Sequence, residues 1–399
     1  MIDLLISNIT TLYTMQNPED LGRQEDVSLG YKNGLLCYMG DSRNAPSAKK
    51  QLSGKGLIGV PGLVDPHTHA VWAGSRADEF ARRLAGENYT KILEQGGGIL
   101  STVTSTRAAS ESELTTLCRA RLSAMLRRGT TTAEVKSGYG LSVDAEHKML
   151  QALQAPMPVR ISPTFLGAHT IPKEYKSNRD AYVEQIINEQ LPLCAPLAES
   201  VDVYCDKGAF DLDESIAILK AGKDLGLRVR AHSEQVEYTG IAAAAARIGA
   251  TCVDHLEQLK EEDVAILAAC ETVAVFLPGA QLYLKDPPPP INALREAGVT
   301  IAVGTDLNPG SSPLHNLWTA ATLSCLLQGL TMKEALLGIT KNAGIAIGHH
   351  HLGWIGKGAC NDLVLVRPPP GEPPLYTSLL QHIEGSSVHA VIKDGQLAT

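Results

Sequence analysis

Two histidines stand two positions apart, directly after an apolar run. His67 and His69 follow the segment GLIGVPGLV at 56–64, whose β-branched residues and bounding glycines are typical of a buried strand. Positions i and i+2 of a strand point to the same side, so both imidazoles project together from the strand end. Neutral imidazole nitrogen binds divalent transition metals. The pair is either half of a metal site or two loop histidines, and the rest of the chain has to decide.

Apolar strand-like runs alternate with helix-like segments through the middle of the chain, which is the pattern of a parallel α/β fold. The candidate strands are eight: 57–65, 130–136, 159–167, 201–205, 228–231, 251–254, 272–276 and 300–304. Eight strand–helix units predict a (β/α)8 TIM barrel. The alternative is a doubly wound sheet, but no G-x-G-x-x-G follows an early strand.

The two ends of the chain resemble each other. Each contains short strand-like runs around an Asn-Gly turn at 33–34 or an Asp-Gly turn at 394–395. We therefore predict a small β-sandwich domain built from residues 1–57 and 356–399, and a TIM-barrel domain formed by residues 58–355.

Polar residues gather directly after the predicted barrel strands. They are Glu134, Lys136 and Tyr139 after the second strand, His169 after the third, His232, Glu234 and Gln235 after the fifth, Asp254 and His255 after the sixth, and Asp306 and Asn308 after the eighth. The ends of barrel strands converge on one rim, where active sites are built. His67 and His69 thus gain partners that are distant in the sequence and close in space.

The composition of the chain narrows its partners. The 399 residues carry a net charge of -8 without any block of Lys or Arg, which argues against nucleic acid and anionic membranes as partners and leaves a small acidic substrate open. The eight cysteines are scattered without a C-x-x-C pair, which predicts reduced thiols and a cytoplasmic location. No apolar run reaches membrane-spanning length.

The ordered set of H-x-H after strand one, His after strands five and six, and Asp after strand eight resembles the metal-dependent amidohydrolase superfamily. This resemblance implies that one divalent metal is held by His67, His69, His232 and Asp306. Three imidazoles and a carboxylate suit Zn²⁺, with iron as the alternative. Such a metal lowers the pKa of water from about 15.7 to about 7.

The superfamily resemblance also implies catalytic roles. Asp306 would relay the proton of the attacking water to the leaving nitrogen, and His255 would polarise the substrate carbonyl or hydrogen-bond the water. The alternative for His255 is a core histidine bonded to Asp254. Binuclear relatives carry a carboxylated lysine after strand four, whereas Lys136 follows strand two, so we predict a structural or electrostatic role for Lys136.

A closer resemblance narrows the substrate. The stretches PHTHAVWAGSRADEF, GGGILSTVTSTRAAS, EVKSGYGL, TFLGAHTIPKEY and GTDLNPGSSP resemble the imidazolonepropionase family over about residues 56–350. The resemblance implies hydrolysis of the ring amide C–N bond of 4-imidazolone-5-propanoate to N-formimidoyl-L-glutamate, in histidine degradation, by a metal-activated water. The alternatives are a heterocycle deaminase of the cytosine or guanine type, and a barrel without enzymatic function.

Positions that match the family imply substrate contacts. Arg76 would bind the propanoate carboxylate, because a guanidinium pairs with carboxylate in a bidentate way. Gly310 would offer backbone N–H groups to an anion. The further positions implied to bind substrate or product are Tyr139, His169, Asn308 and Ser311.

The residues after His232 leave one choice open. The family has an acidic or amide side chain at the third position, which is Gln235 here, and Glu234 stands beside it. Glutamine cannot transfer protons as a carboxylate does. We predict that Gln235 orients the substrate and that Glu234 is a candidate catalytic carboxylate. The glycine run at 96–98 predicts a mobile loop over the site, and the family resemblance implies a homodimer.

Overall fold

The computed structural model of the protein describes residues 1–87 and 97–399. Gly96, the first residue of the predicted glycine loop, lies outside the described residues. Within the described part of the chain, every helix is too short or too polar to traverse a bilayer.

The described residues form sixteen strands in two sheets. In chain order the strands are β1 (Ile2–Tyr13), β2 (Arg23–Lys32), β3 (Leu35–Asp41), β4 (Ala48–Ser53), β5 (Ile58–Pro61), β6 (Leu63–Asp65), β7 (Thr130–Lys136), β8 (Arg160–Ala168), β9 (Ser200–Cys205), β10 (Arg228–Ser233), β11 (Ala250–His255), β12 (Val273–Phe276), β13 (Ile301–Val303), β14 (Leu363–Arg367), β15 (Ser387–Lys393) and β16 (Gln396–Leu397).

Helices follow most of the barrel strands. The α-helices of the described residues are Ala77–Leu84, Ile99–Ala108, Glu111–Leu126, Val143–Leu153, Arg179–Gln185, Leu191–Cys194, Leu212–Asp224, Ile241–Arg247, Glu261–Ala269, Pro278–Leu284, Ile291–Glu296, Leu317–Leu323, Met332–Gly338 and Lys341–Ala346. Single π-helical turns continue two of them at Ile186–Gln190 and Ser324–Gln328.

The strands β6 to β13 form a parallel sheet in which each strand pairs with the next one along the chain. A parallel bridge between Thr68 and Leu307 joins the two ends of this sheet at its carboxyl edge. The N–H of His69 donates to the carbonyl of Leu307 at 2.9 Å, and the N–H of Asp306 donates to the carbonyl of His67 at 3.0 Å. The predicted (β/α)8 barrel is confirmed, and its closure brings residues 67–69 beside Asp306.

The first predicted strand, 57–65, is two strands that belong to different sheets. β5 pairs with β1 and β14, whereas β6 pairs with β7 in the barrel. Gly62 lies between them, and a Cβ atom there would lie 2.2 Å from Thr131 Oγ1 and 2.6 Å from Asp362 Cβ. Both strands are fully buried, so their apolar pattern is continuous and the sequence does not reveal the change of sheet.

The second sheet contains strands from both ends of the chain, in the order β16-β15-β14-β5-β1-β2-β3, with β4 paired to β1. Its buried core includes Ile6, Ile9, Leu29 and Leu363. The prediction of a β-sandwich unit built from both termini is confirmed. β5 carries this sheet to Pro61, beyond residue 57, and the domain boundaries at 57 and 356 stay a prediction because strand pairing does not define independent units.

Strand alternation places a polar layer inside the barrel. In β7, Ala133 and Val135 pack into the apolar core against the helices, whereas Glu134 and Lys136 alternate with them and are also fully buried. In β10, Arg230 and His232 alternate with core residues in the same way. The barrel interior below the rim is therefore ionic rather than apolar.

Candidate metal centre and active site

Three histidines and one aspartate meet at the carboxyl end of the barrel. His67 and His69 follow β6, His232 lies in β10, and Asp306 follows β13. The Nε2 atom of His69 lies 3.3 Å from Nε2 of His67 and 3.3 Å from Nε2 of His232. Oδ1 of Asp306 lies 3.5 Å from Nε2 of both His67 and His69. All four side chains are buried, and the structure thus brings together the set that the sequence singled out.

The donor set fits a divalent metal. Nδ1 of His67 lies 2.7 Å from Asp254 Oδ2, and Nδ1 of His232 lies 3.1 Å from Asp202 Oδ1. An ionised carboxylate only accepts hydrogen bonds, so each Nδ1 carries the proton and each Nε2 presents a lone pair. Buried acceptors that face one another without a donor are unfavourable unless a cation lies between them. This arrangement, like the fold, is that of a site for a divalent metal.

The electrostatic surroundings keep the imidazoles in their ligand form. Burial lowers the pKa of His67 and of His69 well below the usual value, and it also lowers the pKa of His232. Neutral imidazole is the form that coordinates a metal. Burial raises the pKa of Asp306 to about 7, and His255 partly opposes this shift. A divalent cation beside Asp306 would favour its ionised form.

An ionic layer lies directly beneath the histidines. Lys136 Nζ donates to Glu134 Oε1 at 2.9 Å and to Asp202 Oδ2 at 2.7 Å, and it lies 3.7 Å from Asp254 Oδ2. Burial and Arg230 would lower the pKa of Lys136, but the three carboxylates raise it above the usual value. Lys136 therefore contacts both carboxylates that hold the histidine Nδ1 atoms.

His255 faces the same centre from the end of β11. Its ring centroid lies 5.8 Å from that of His67 and 5.5 Å from that of His232. Asp254, the partner considered for a core histidine at this position, bonds His67 instead. Nδ1 of His255 lies 3.8 Å from Glu257 Oε2. Burial alone would lower the pKa of His255, but Glu257 raises it above the usual value.

The side chain of Glu234, the predicted catalytic carboxylate, is held by the backbone that follows it. Glu234 Oε2 accepts from the N–H of Thr239 at 2.6 Å, and Oε1 accepts from the N–H of Ala242 at 3.1 Å. Both oxygens thus bind the start of the helix Ile241–Arg247. The positive φ of 54° at Glu234 shows that regular strand alternation has ended at this residue.

Gln235 follows Glu234, and its side chain makes no hydrogen bond to the helix Ile241–Arg247. Its N–H donates to Asp206 Oδ2 at 3.0 Å. Asp206 also accepts from the N–H groups of Val236 and Glu237, at 2.8 and 3.0 Å. Asp206 therefore fixes the loop that carries Gln235. Asp206 directly follows the fourth barrel strand, β9, as rim residues do, and this position is the signal by which the sequence could have revealed it.

Arg76 lies at the edge of the site in a bidentate ion pair. Its Nε and Nη2 atoms donate to Glu79 at 3.1 and 2.5 Å. Glu79 also accepts from the N–H of Gly98 at 2.8 Å. Nη1 lies against Gly310, where a Cβ atom would come within 2.0 Å of it. Position 310 thus requires glycine, because a Cβ atom there would overlap the Arg76 guanidinium.

The Gly310 N–H, for which an anion contact is predicted, takes part in hydrogen bonding within its own loop. That N–H donates to Asn308 Oδ1 at 2.8 Å, and the N–H of Ser311 donates to the same oxygen at 2.8 Å. The Asn308 amide nitrogen donates to the carbonyl of Asp306 at 2.8 Å and to Ser311 Oγ at 3.1 Å. The Asn308 amide thus uses its hydrogen-bonding capacity within its own loop, which fixes the backbone after Asp306.

Tyr139 and His169 line the site beside the metal ligands. The His169 ring stacks on His69 with centroids 5.0 Å apart and an interplanar angle of 16°. Its Nδ1 donates to the carbonyl of Gly138 at 2.9 Å, and burial lowers the pKa of His169 to about 3. The Tyr139 ring centroid lies 5.9 Å from that of His69. The structure thus brings both residues into the predicted site.

Asp202 and Glu257 are the further site residues that sequence reasoning missed. Asp202 has a visible signal: it lies between Val201 and Val203, so a charged side chain alternates with apolar ones inside a buried strand. Glu257 has no such signal, because it follows the end of β11 where alternation no longer applies.

Comparisons with known proteins agree with this architecture. The model of the amidohydrolase family matches residues 58–398. A zinc-bound adenosine deaminase from Xanthomonas campestris superposes with a TM-score of 0.72 at 18% identity, covering 99% of this chain and 92% of that one. The zinc complex of an atrazine chlorohydrolase from Arthrobacter aurescens gives 0.70 at 17% identity, covering 99% and 94%. These likenesses concern the fold, and with the family model they define the chain as an amidohydrolase.

Sequence relatives narrow the class further. An imidazolonepropionase from Thermoanaerobacter pseudethanolicus is 40% identical over 398 residues, covering 96% of this chain and 95% of the relative. Imidazolonepropionases from Sphingopyxis alaskensis and Idiomarina loihiensis are 41% and 43% identical, covering 95% and 90% of this chain and 94% and 90% of theirs. The chain belongs to the imidazolonepropionase family, as its motifs predicted.

Proposed function

We propose that this protein hydrolyses the ring amide C–N bond of 4-imidazolone-5-propanoate to N-formimidoyl-L-glutamate in histidine degradation. The observation that carries the proposal is the convergence of His67, His69, His232 and Asp306 in a chain about 40% identical to imidazolonepropionases over nearly its full length. No observation specifically favours deamination of a heterocycle. Arg76 at the edge of the site also suits a carboxylate substrate better than a nucleobase.

In this proposal Arg76 binds the propanoate carboxylate. The contact of its Nε and Nη2 with Glu79 supports this role by fixing the plane of the guanidinium, and Nη1 lies beside Gly310. Gln235, held by Asp206 through the backbone, orients the ring. Tyr139 and His169 flank it. In this way the chain positions the ring carbonyl over the ligand cluster.

Asp306 is proposed to move the proton. It accepts the proton of the water that adds to the ring carbonyl carbon, and it delivers that proton to the ring nitrogen as the C–N bond breaks. The ionised form that a divalent cation favours is the form of Asp306 that can accept this proton. A bound divalent metal would supply the Lewis acidity that ionises water near pH 7. His255 stabilises the developing charge on the carbonyl oxygen.

For the metal we propose Zn²⁺, with iron as the competitor. The support is the donor set itself, three imidazoles and one carboxylate. Elemental analysis of protein purified from cells grown with both metals should give about one equivalent of zinc per chain. A majority of iron would contradict the zinc assignment and leave the ligand set intact.

The proposed function is tested with freshly prepared 4-imidazolone-5-propanoate, whose ultraviolet absorbance disappears on ring opening. We expect this loss with metal-loaded protein, none after verified removal of the metal, and recovery when Zn²⁺ is added back. The His232→Ala variant should bind no metal and be inactive, whereas His389→Ala, an exposed histidine of β15, should match the wild type. Full activity of verified metal-free protein would refute the mechanism.

The location and assembly of the protein stay predictions from the sequence. We propose a cytoplasmic protein, which is supported by its eight free cysteines. We also propose a homodimer, and light scattering on size-exclusion fractions should give about twice the chain mass of 42.5 kDa.

A further inference from the structure

One buried carboxylate near the site has no hydrogen-bond partner. The Glu257 side chain is fully buried, and neither of its oxygens has a partner among the described residues. Nδ1 of His255 is buried and unpartnered in the same way, and it lies 3.8 Å from Glu257 Oε2. Leaving a buried carboxylate without hydrogen bonds is costly, so a role is needed to account for its presence.

The backbone between the two residues is shaped to make them face each other. His255 has a φ of 79° and Leu256 has a φ of 75°, although neither is glycine. The N–H of Leu256 donates to the carbonyl of Ser233 at 3.0 Å, and the N–H of Gln258 donates to the carbonyl of Glu234 at 2.7 Å. The end of β10 thus holds this turn in a conformation that side chains disfavour, and such strain is concentrated at functional sites.

The two metal-ligand histidines with an identified Nδ1 partner show what such a carboxylate does. Asp254 accepts from Nδ1 of His67, and Asp202 accepts from Nδ1 of His232, which directs both Nε2 atoms to the centre. The partner of one ring nitrogen determines which nitrogen carries the proton and how the ring is turned. Glu257 holds the equivalent place behind His255.

We propose that Glu257 is a positioning residue, which accepts the Nδ1–H of His255 and thereby aims Nε2 at the reacting carbonyl group. A side-chain shift of about 1 Å brings the pair from ion-pair distance to hydrogen-bond distance. The proposal rests on the proposed function for its kinetic consequences, whereas the hydrogen bond itself can be observed without substrate.

The opposing interpretation is that Glu257 merely fills space. A buried charged group without partners can be replaced by an apolar one of similar volume at no loss of stability. Under that interpretation Glu257→Leu leaves turnover unchanged. Under ours Glu257→Leu removes the acceptor, whereas Glu257→Gln keeps an acceptor oxygen at the same place.

The kinetic test uses the metal-loaded enzyme. We expect Glu257→Leu to lower kcat about 10²-fold, the lower range for a positioned proton-transfer group, with KM changed less than about threefold. Glu257→Gln should retain most of the activity. In a His255→Gln background Glu257→Leu should cost nothing further, because the residue it positions is gone. Glu262→Leu, an exposed carboxylate on the next helix, is the matched control. An equal loss in both backgrounds, or none in either, overturns the proposal.

A second measurement separates this inference from the proposed function. In zinc-loaded protein with ¹⁵N-labelled histidine, the His255 signals are assigned by their loss in His255→Gln. We expect a protonated Nδ1 in the wild type and in Glu257→Gln, and a shifted Nδ1 signal in Glu257→Leu. Identical His255 signals in all three proteins would reject the positioning role. Wild type that leaves imidazolone propanoate unchanged refutes the function alone, and the spectra still decide the role of Glu257.

Discussion

Gly310 shows how much a single residue decides at this site. The family resemblance implies that its backbone N–H meets an anion, and in this structure that N–H donates to Asn308 Oδ1. Glycine at this position leaves the space that the Arg76 guanidinium occupies, because any side chain would overlap it. The loop after Asp306 thus provides this space.

At this scale we predict that Arg76→Ala raises KM about 10- to 100-fold while metal content stays at the wild-type level. The reason is the loss of a charge-assisted contact worth about 1.5–3 kcal/mol to the substrate carboxylate. Gly310→Ala should raise KM as well, because its Cβ displaces Nη1. Steady-state kinetics and elemental analysis measure both effects, with Arg82→Ala, the neighbouring arginine paired to Glu87, as the control. Metal loss in Arg76→Ala would contradict this division of roles.

At the scale of the elements, three strands supply the residues that orient the metal-binding histidines. β7 supplies Lys136, β9 supplies Asp202, β11 supplies Asp254, and each of these residues is inward-facing and fully buried. Lys136 lies between the two aspartates, and they in turn hold His232 and His67. The orientation of the ligands therefore depends on the register between neighbouring strands as well as on the rim loops.

We therefore predict that Lys136→Met weakens metal binding about 10- to 100-fold, as loss of an outer-shell partner does. Removing the ammonium takes a charged partner from the buried Glu134 and Asp202, so the variant should also be less stable. Competition with a chromophoric chelator measures the affinity on folded protein. Lys148→Met is the matched control, because Lys148 donates to the carbonyls of Arg107 and Ala109. Should Lys136→Met not fold, Asp202→Asn gives the same test at one ligand. Unchanged affinity in folded protein would contradict the role of this layer.

At the scale of the molecule, the barrel is held together at both of its ends. At the rim, Asp65 accepts from the Thr305 hydroxyl at 2.6 Å and from the Thr305 N–H at 3.1 Å. These hydrogen bonds join the last residue of β6 to the segment that follows β13. Glu199, just before β9, accepts from Ser162 Oγ at 2.7 Å, Arg228 Nη1 at 3.1 Å and His349 Nε2 at 2.7 Å. Glu199 thus ties two barrel strands to the segment after the last barrel helix.

This second contact predicts a pH dependence of stability. Burial would raise the pKa of Glu199, but hydrogen bonds, that of His349 foremost, lower it to about 2. A carboxyl whose pKa is lower in the folded state contributes stability above its unfolded pKa of about 4.3, and this contribution is lost as the pH falls towards 2. Because the side chain is 35% exposed, we expect at most about 1 kcal/mol.

The measurement is the difference in urea midpoint between wild type and Glu199→Gln across this pH range. The variant should be less stable at pH 7, and the difference should shrink below pH 4. Glu262→Gln, which removes an exposed carboxylate, is the control. A difference that is constant from pH 7 to pH 3 would contradict the prediction.

The sequence by itself determined the barrel and most of its ligand set. Strand alternation is a local property, and the ends of parallel strands always meet at one rim, so the sequence places His67, His69, His232 and Asp306 on that rim. The superfamily resemblance then selects these four as the ligand set. The charged residue Asp202 among valines carried a signal of the same local kind.

Only the tertiary structure decided what happens where the strands end. Glu234 and His255 have positive φ values, so strand alternation no longer applies there, and Glu234 accepts from the N–H of Ala242 in the next helix. The change of sheet at Gly62 and the need for glycine at 310 arise from atoms far apart in the sequence. Sequence periodicity predicts the direction of side chains only where the backbone is regular. It does not predict side-chain directions beyond the strand ends, and it does not show which positions are crowded by residues distant in the sequence.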